Sequence, residues 1–452
     1  MTELEEYGQR IEALARSLGL DYYPVDFELA PASLMTEIAV YGLPVRMPHW
    51  SFGVRYIHQL VRQSMGHSKI FEVMFPGDPC RAFLMDGNSL AENALVTAHV
   101  LGHADFAKHN QLFARFHAMS GGNIVEQAAT HAHRIQLAIE KHGVERVEGV
   151  LDAALALESH VDVEGELHRN RYPEYVADKP KLAESEFQKR FRSLPGAPEP
   201  AQPPAGPLRS AVPPHPEYDL LWFIAHYAPE LEQWERDIFL MVRAESLYFY
   251  PVFACQIMNE GWASYWHARL LREADFLPQP LYLAAIKAHS DVVRPFASGE
   301  QTALAINPYY LGFTMWDRIV EKHGIERARE VRRDEDDFGF IRNWLDEELA
   351  AASGLFVYEA RPGDEIRVAT KDINAIREAI LAPKFNFGAP RVAAVELAND
   401  GSLTLSHAHG TDGRGLDVGR AKKVLEYVRR VWRRPVHLHT VNERAEPVDL
   451  AA

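Results

Sequence analysis

The chain has 452 residues and a formal net charge of −15, from 63 acidic and 48 basic side chains. Hydrophobic residues make up 47% of it, so a folded protein with a sizeable core is expected rather than a disordered chain. The negative charge argues against nucleic-acid binding, because that affinity comes mostly from neutralising phosphates. Two cysteines, Cys80 and Cys255, are too few for a disulfide framework.

The N-terminus has neither the basic nor the apolar region of a secretory signal, since its first six residues include three glutamates. The longest apolar stretch, 247–258, is interrupted by a proline and a glutamine. A membrane span needs about 20 apolar residues. We therefore expect a cytoplasmic protein that does not enter a membrane.

The first half of the chain is predicted to be mainly helical. An amphipathic helix opens the first 30 residues and is followed by an extended Tyr-Tyr-Pro segment, and helical spacing returns over 54–65. Ser89 followed by Glu92 forms a capping-box pattern, which predicts a helix that begins there and runs to about Phe116. Further helical patterns cover 124–142, 144–160 and 180–192.

Residues 193–216 contain nine prolines in 24 positions. Because proline lacks an N–H and has a fixed φ, this stretch is predicted to be a linker or an extended surface loop. Helical periodicity covers 218–250, and we expect it to stop at Pro251 and to resume near Asn259. More helices are predicted over 281–296, 315–332 and 335–353.

After Gly354 the pattern changes to a β-α-β-β-α-β order. Strand-like alternation and a hairpin signal at Asn399-Asp400-Gly401 are interspersed with two helical patterns, 372–381 and 419–432. The fold class is therefore mainly α. We expect a large helical domain over 1–353, which includes the proline-rich segment, followed by a small α+β domain over 354–452.

His99 and His103 lie at positions i and i+4 of the capped helix. Residues at this spacing share one helix face, and two such imidazoles can bind one metal ion, as in the His-Glu-x-x-His metalloproteases. Val100 stands where those enzymes have their general-base glutamate. The pair therefore predicts either a metal site or two structural histidines.

A second candidate is Glu260 in the segment Asn-Glu-Gly-Trp-Ala-Ser-Tyr. At about 100° per residue Glu260 and His267 share one helix face, and a buried carboxylate there needs a cation, a metal or strong donors. The segment resembles the Asn-Glu-Gly-Phe-Ala-Ser-Tyr element of gluzincin aminopeptidases, which implies that its glutamate is a zinc ligand. Those enzymes place it shortly after a His-Glu-x-x-His helix, and only His99 and His103, far upstream, have that histidine spacing here.

Glu245 lies in an apolar, aromatic run shortly before this segment. A carboxylate in such surroundings either has a raised pKa or acts as a ligand. It is thus a candidate acid or base, and the alternative is a structural ion pair with Arg243 or another arginine. The sequence has no phosphate-binding glycine loop, so no nucleotide cofactor is expected.

Several segments together resemble the stage V sporulation protein R (SpoVR) family, in matching order and spacing along the chain. These segments are 46–53, 66–72, 78–80, 86–89, 99–106, 258–267 and 307–313. The resemblance implies a bacterial role in sporulation, through cortex formation, or in stress physiology. It also implies an AAA-type serine protein kinase and a protein with a von Willebrand factor A-like region as partners.

Two hypotheses follow from these observations. In the first, His99, His103 and Glu260 bind zinc or another divalent metal, Glu245 or His267 acts as a further ligand or acid/base, and the protein hydrolyses an amide-like bond. In the second, the same residues form a structural polar network in a non-enzymatic regulator or scaffold that acts with the kinase. The first requires the two imidazoles and the Glu260 carboxylate to converge on one point.

Overall fold

A computed structural model of the chain describes most of its residues. The described residues are 3–64, 72–119, 124–169, 171–173, 175, 211–294, 307–361 and 365–452. The predicted helix over 180–192 and most of the proline-rich segment therefore lie outside the described residues.

The helices, in chain order, are α1 Glu3–Ser17, α2 Ala32–Tyr41, α3 Trp50–Ser64, α4 Leu90–His109, α5 Gln111–Met119, α6 Ile124–His142, α7 Val144–Ala156, α8 Gly165–His168, α9 Leu220–Tyr227, α10 Gln233–Ala254, α11 Gln256–Glu273, α12 Gln279–Val292, α13 Pro308–Asp334, α14 Asp337–Trp344, α15 Glu347–Ala352, α16 Ile373–Leu381, α17 His409–Asp412 and α18 Val418–Trp432. The strands are β1 Val25–Ala30, β2 Glu72–Phe75, β3 Cys80–Met85, β4 Val357–Arg361, β5 Glu365–Thr370, β6 Val392–Leu397, β7 Leu403–His407, β8 Val436–Val441 and β9 Pro447–Ala451.

The chain folds into two compact units, each made of two segments. The first unit comprises 1–141 and 244–388, and the second comprises 142–243 and 389–452. The sequence analysis expected two domains that are continuous in sequence, 1–353 and 354–452, and this division stays a prediction.

The first unit is built around α4, which is buried on every side. Its start is the predicted capping box: the Ser89 side chain accepts from the Glu92 N–H, and the Glu92 carboxylate accepts from the Ser89 N–H at 2.7 Å. Helices α11 and α13 pack in the same core, where the indoles of Trp262, Trp266 and Trp316 are fully buried. A three-stranded sheet in the order β1-β3-β2 also belongs to this unit, with β1 parallel and β2 antiparallel to β3.

The second unit contains a four-stranded sheet in the order β6-β7-β8-β9. Strands β6 and β7 form the predicted hairpin, in which Gly401 has a φ of +87° that favours glycine. Strand β8 is parallel to β7 and antiparallel to β9. Helix α18 packs on α7, and the Trp432 indole, which is fully buried, stacks on Phe223.

The mainly helical fold class with a small sheet-containing C-terminal region is confirmed. The predicted stop at Pro251 is wrong, because α10 continues through this proline to Ala254 and α11 begins at Gln256. The long helix predicted to reach Phe116 ends at His109, since Asn110 adopts an extended conformation there and α5 follows. The strands after residue 354 form two separate sheets, with β4 paired to β5 alone.

Within the part of the chain that the structure describes, no single helix is long and apolar enough to cross a membrane. The two consecutive helices α10 and α11, bent by 58° relative to each other, reach the required length and composition only when they are taken together.

Candidate metal centre

A close crossing of α4 and α11 brings the predicted ligands together. Gly102 lies between His99 and His103 on α4, and a Cβ at this position would be 2.7 Å from the Ala263 Cα on α11. Only glycine allows the two backbones to approach so closely. The two histidines of α4 therefore lie beside Glu260, which is about one turn before Ala263.

A second glycine contact joins α11 to α13. A Cβ on Gly261 would be 2.3 Å from the Gly312 carbonyl carbon, and a Cβ on Gly312 would be 2.1 Å from the Ile257 oxygen. This contact brings Tyr309, one turn before Gly312, to the same site. The Tyr309 ring stacks on His99 with 6.0 Å between ring centroids, and the charge of Glu260 acts on its hydroxyl.

His99, His103 and Glu260 converge, as the metal hypothesis requires. Their candidate ligand atoms lie within 4.8 Å of one another. The Glu260 Oε2 is 3.6 Å from His99 Nε2 and 3.4 Å from His103 Nε2. Both histidines are buried, whereas Glu260 is partly buried. Two of the converging atoms, His99 Nε2 and Glu260 Oε2, are buried and have no hydrogen-bond partner.

The two separations that involve Glu260 are close to those between the ligands of a tetrahedral zinc ion. Ligand atoms about 2.0–2.1 Å from zinc in tetrahedral geometry are about 3.3 Å apart. The two nitrogen–oxygen separations here are 3.4 and 3.6 Å, longer than a good N–H···O hydrogen bond. The residues present therefore fit a metal ion better than they fit direct hydrogen bonding to one another.

Hydrogen bonds at Nδ1 orient both imidazoles. His103 Nδ1 is 2.8 Å from the Asn259 side-chain oxygen, so it donates there and leaves Nε2 with a lone pair. His99 Nδ1 is 2.9 Å from His267 Nδ1, and His267 Nε2 is 2.6 Å from His289 Nδ1. Such partners of the other ring nitrogen are usual for metal-binding histidines.

The pKa shifts reflect burial and mutual charge. Burial would raise the pKa of Glu260, but His103 and His99 together hold it well below its usual range. Burial lowers the pKa of His99 to about 4. Burial also acts to lower the pKa of His103, but Glu260, Asn259 and Glu72 together outweigh it and raise that pKa. Burial lowers the pKa of His267 well below normal and that of His289 to about 4.

A cavity of about 310 Å³ opens beside His99. Among the residues that line it are Glu72, Glu92, Leu95, His267, Ala288, Val292, Asn307 and Tyr309. The Glu72 Oε1 is 3.9 Å from His99 Nε2, and burial raises the pKa of this carboxyl group to about 7. The charge of Glu260, with burial, raises the pKa of Tyr309 well above its usual value. The cavity thus brings a further carboxyl group, that of Glu72, beside His99, one of the three converging residues.

Glu245 has different partners. Its side chain is fully buried and pairs with Arg46 at 2.8 Å and with His131 at 3.0 Å. Among the described residues, the group able to hold a metal comprises His99, His103 and Glu260 and not Glu245. The contacts are those of the structural ion pair considered above, with Arg46 in place of Arg243. A catalytic role for Glu245 stays a prediction, because no contact joins Glu245 to the three converging residues among those described. His267 is joined to the site by its hydrogen bond with His99.

Sequence reasoning missed four residues around the site: Glu72, Asn259, His289 and Tyr309. Glu72 is the one carboxylate in an otherwise apolar strand, β2, which was a usable signal. Glu72, Asn259 and Tyr309 all lie in segments that resemble the family, but the sequence analysis gave these three residues no role. His289 is an isolated histidine of α12, and nothing in its neighbourhood in the sequence indicated its partner.

The sequence was also compared with known proteins. A family model described as SpoVR like protein matches residues 1–388, and a model of the SpoVR-like C-terminal domain matches 391–443. The chain belongs to the SpoVR family. A curated SpoVR relative, the uncharacterized protein YcgB of Escherichia coli (strain K12), is 29% identical over 486 residues, covering 97% of this chain and 92% of that protein. No solved structure matches the chain.

Proposed function

We propose that this SpoVR protein is a metal-dependent, hydrolase-like protein in which His99, His103 and Glu260 hold a divalent ion, with zinc the first choice. The observation that carries the proposal is the convergence of these residues with two buried atoms, His99 Nε2 and Glu260 Oε2, that have no hydrogen-bond partner. A buried polar atom left unpaired costs roughly 1–3 kcal/mol. An ion bound between these atoms removes that cost.

The donor set also supports catalysis rather than a purely structural ion. Structural zinc sites are closed by four protein ligands, whereas catalytic sites use three, commonly histidine and carboxylate, and keep one position open. When bound, zinc supplies a Lewis acid and lowers the pKa of a water molecule. The cavity beside His99 offers room for that water and for a substrate group.

Glu72 is the acid/base group that fits this chemistry best. It lines the cavity and lies 3.9 Å from His99, so it can accept a proton from a water molecule held in the cavity. Both carboxylate oxygens of Glu245, in contrast, are engaged by Arg46 and His131. We therefore assign to Glu72 the role that the sequence analysis gave to Glu245.

We take the reaction to be hydrolysis of an amide-like bond. The cavity restricts which substrates can enter. A volume of about 310 Å³ suits a small molecule or one group of a larger one. Glu72 and Glu92 are carboxylates, and no lysine or arginine occurs among the described lining residues. These two carboxylates favour a substrate group that is neutral or positively charged.

The alternative function is a non-enzymatic regulator or scaffold that acts with an AAA-type serine kinase and a von Willebrand factor A-like protein in sporulation or stress physiology. One observation favours it: the Nδ1 atoms of His99 and His103 are already hydrogen-bonded within the protein, so the cluster is ordered by its own contacts. In that case the polar core stabilises the fold, and binding takes place elsewhere on the protein.

Metal content separates the two functions. Inductively coupled plasma mass spectrometry is applied to the purified wild type and to the Glu260→Gln, His103→Ala and Glu245→Gln variants. We expect near-stoichiometric zinc or another divalent metal in the wild type and in Glu245→Gln, and little in the other two. Glu260→Gln keeps the side-chain shape, so its loss of metal does not reflect misfolding.

A wild type without metal, or a Glu260→Gln variant that retains it, would overturn the metal site. Catalysis is examined with Glu72→Gln, which should keep the metal and lose hydrolysis of neutral and cationic amide substrates. Hydrolysis by the metal-loaded Glu72→Gln variant at the wild-type rate would exclude Glu72 as the acid/base group.

A further inference from the structure

Three imidazoles from three helices form a continuous hydrogen-bonded row. His99 lies on α4, His267 on α11 and His289 on α12. His99 Nδ1 is 2.9 Å from His267 Nδ1, and His267 Nε2 is 2.6 Å from His289 Nδ1. His267 is fully buried, and His99 and His289 are 2% and 8% exposed. Water therefore does not substitute readily for either hydrogen bond.

The row permits two neutral arrangements of protons. A neutral imidazole has one N–H and one lone pair, and each nitrogen–nitrogen hydrogen bond needs one of each. Because His267 bonds at both nitrogens, it donates at one and accepts at the other. In the first arrangement, His99 Nδ1 donates to His267, which donates to His289. In the second, both hydrogen bonds run in the opposite direction.

Only the first arrangement leaves His99 able to bind a metal. When His99 donates through Nδ1, its Nε2 has a lone pair, and this is the atom that is buried without a partner and lies 3.6 Å from Glu260. In the second arrangement His99 accepts at Nδ1, so its Nε2 carries the proton. The direction of the row thus decides whether His99 is a ligand.

We infer that His267 and His289 are positioning residues that hold His99 in its metal-binding tautomer. The inference rests on the proposed function, because it assigns a role in the same metal site to two residues that do not contact the ion. Removing such partners of a metal-binding histidine typically costs 10–100-fold in metal affinity.

Helix α11 supplies both a ligand and the partners of the other two ligands. His267 follows Glu260 by two helical turns and so lies on the same face, where it meets His99. Asn259, next to Glu260, accepts from His103. One helix therefore sets the orientation of both imidazoles of α4, and the row to His289 couples the tautomer of His99 to those of His267 and His289.

Zinc affinity provides the first test, measured on the full chain by competition with a chromophoric chelator. His267→Ala should weaken zinc binding by about 10–100-fold. His267→Asn should recover part of this loss, because its side-chain oxygen can accept from His99 Nδ1. The matched control is His160→Asn, which alters a histidine of the second compact unit and should leave zinc affinity unchanged.

The tautomers themselves provide a second readout, which is measured on the wild-type protein and needs the variants only to assign the signals. In 15N-histidine NMR spectra of the zinc-loaded wild type, His267 and His289 should each be protonated on Nε2 and unprotonated on Nδ1. Signals are assigned by their loss in the single variants.

Two results would overturn the inference while the metal site stands: His267 protonated on Nδ1 in the loaded protein, or a folded His267→Ala variant with wild-type zinc affinity. A wild type that takes up no zinc would instead overturn the proposed function, and this inference with it.

Discussion

Gly102→Ala is the change that most directly examines how the fold builds the metal centre. The added Cβ would be 2.7 Å from the Ala263 Cα and 3.3 Å from its Cβ, and both contacts are shorter than an ordinary 3.4 Å contact. The nearest atom belongs to a helix backbone, so no side chain can rotate away. Helices α4 and α11 must therefore move apart by about 0.7 Å or more.

The structure sets the size of the effect. Alanine in place of glycine in a helix interior contributes about 0.8–1.0 kcal/mol to stability. Overpacking a core costs about 1–3 kcal/mol, so the expected result is a loss of up to about 2 kcal/mol in the free energy of unfolding. Metal–ligand distances tolerate only about 0.2 Å, and zinc affinity should fall at least about tenfold.

The assay combines urea denaturation with zinc competition, and Gly8→Ala is the matched control. Gly8 lies within α1, and an added Cβ there meets nothing within 4 Å. The control should gain up to about 1 kcal/mol in stability and keep its zinc affinity. If Gly102→Ala is stabilised like the control and binds zinc as tightly as the wild type, the close helix crossing is not what aligns the ligands.

Two further predictions concern stability. The Asp337 carboxylate accepts from the Ile257 and Met258 N–H groups at the start of α11, at 2.9 Å each, and pairs with Lys384 at 3.0 Å. Asp337→Ala should lower the free energy of unfolding, measured by denaturation, by about 3–5 kcal/mol. Adding Lys384→Met should recover part of this loss, because the lysine is then no longer buried without its partner. If the effects of the two single variants simply add in the double variant, the two side chains do not form a stabilising pair. Burial lowers the pKa of His160 to about 4, from about 6.5 in the unfolded chain. Protonation therefore favours the unfolded chain, so the stability that the neutral His160 preserves is complete above pH 6.5 and is lost as the pH falls toward 4. His160→Asn should flatten the profile of unfolding free energy across that window, where each pH unit changes the wild type by up to about 1.4 kcal/mol through this group, and an unchanged profile would contradict the assignment.

Local regularities in the sequence were enough to predict much of the helical framework. The capping box at Ser89 and Glu92 and the spacing of His99 and His103 depend on residues within a few positions of each other, and the structure has them on one helix, α4. The same holds for Glu260 and His267, which lie on one face of α11. Helical geometry alone determines such relations, because one turn brings residues i and i+4 together.

Contacts between distant segments were decided by the tertiary structure. Glu245 pairs with Arg46 rather than with its neighbour Arg243, and Glu72 of β2 comes to lie beside His99. Neither contact has a periodic signature, because the chain between the two partners can follow many paths. The continuation of α10 through Pro251 is likewise a tertiary effect that overrides the local preference of proline.

Gly102 shows most clearly where the sequence stops and the tertiary structure begins. In the sequence it is one residue between two candidate ligands, and a glycine within a helix only lowers helical stability. In the fold it is the position at which α4 meets the backbone of Ala263. The sequence thus determined which side chains could bind a metal, while the packing of two helices at a residue without a side chain determined that they meet.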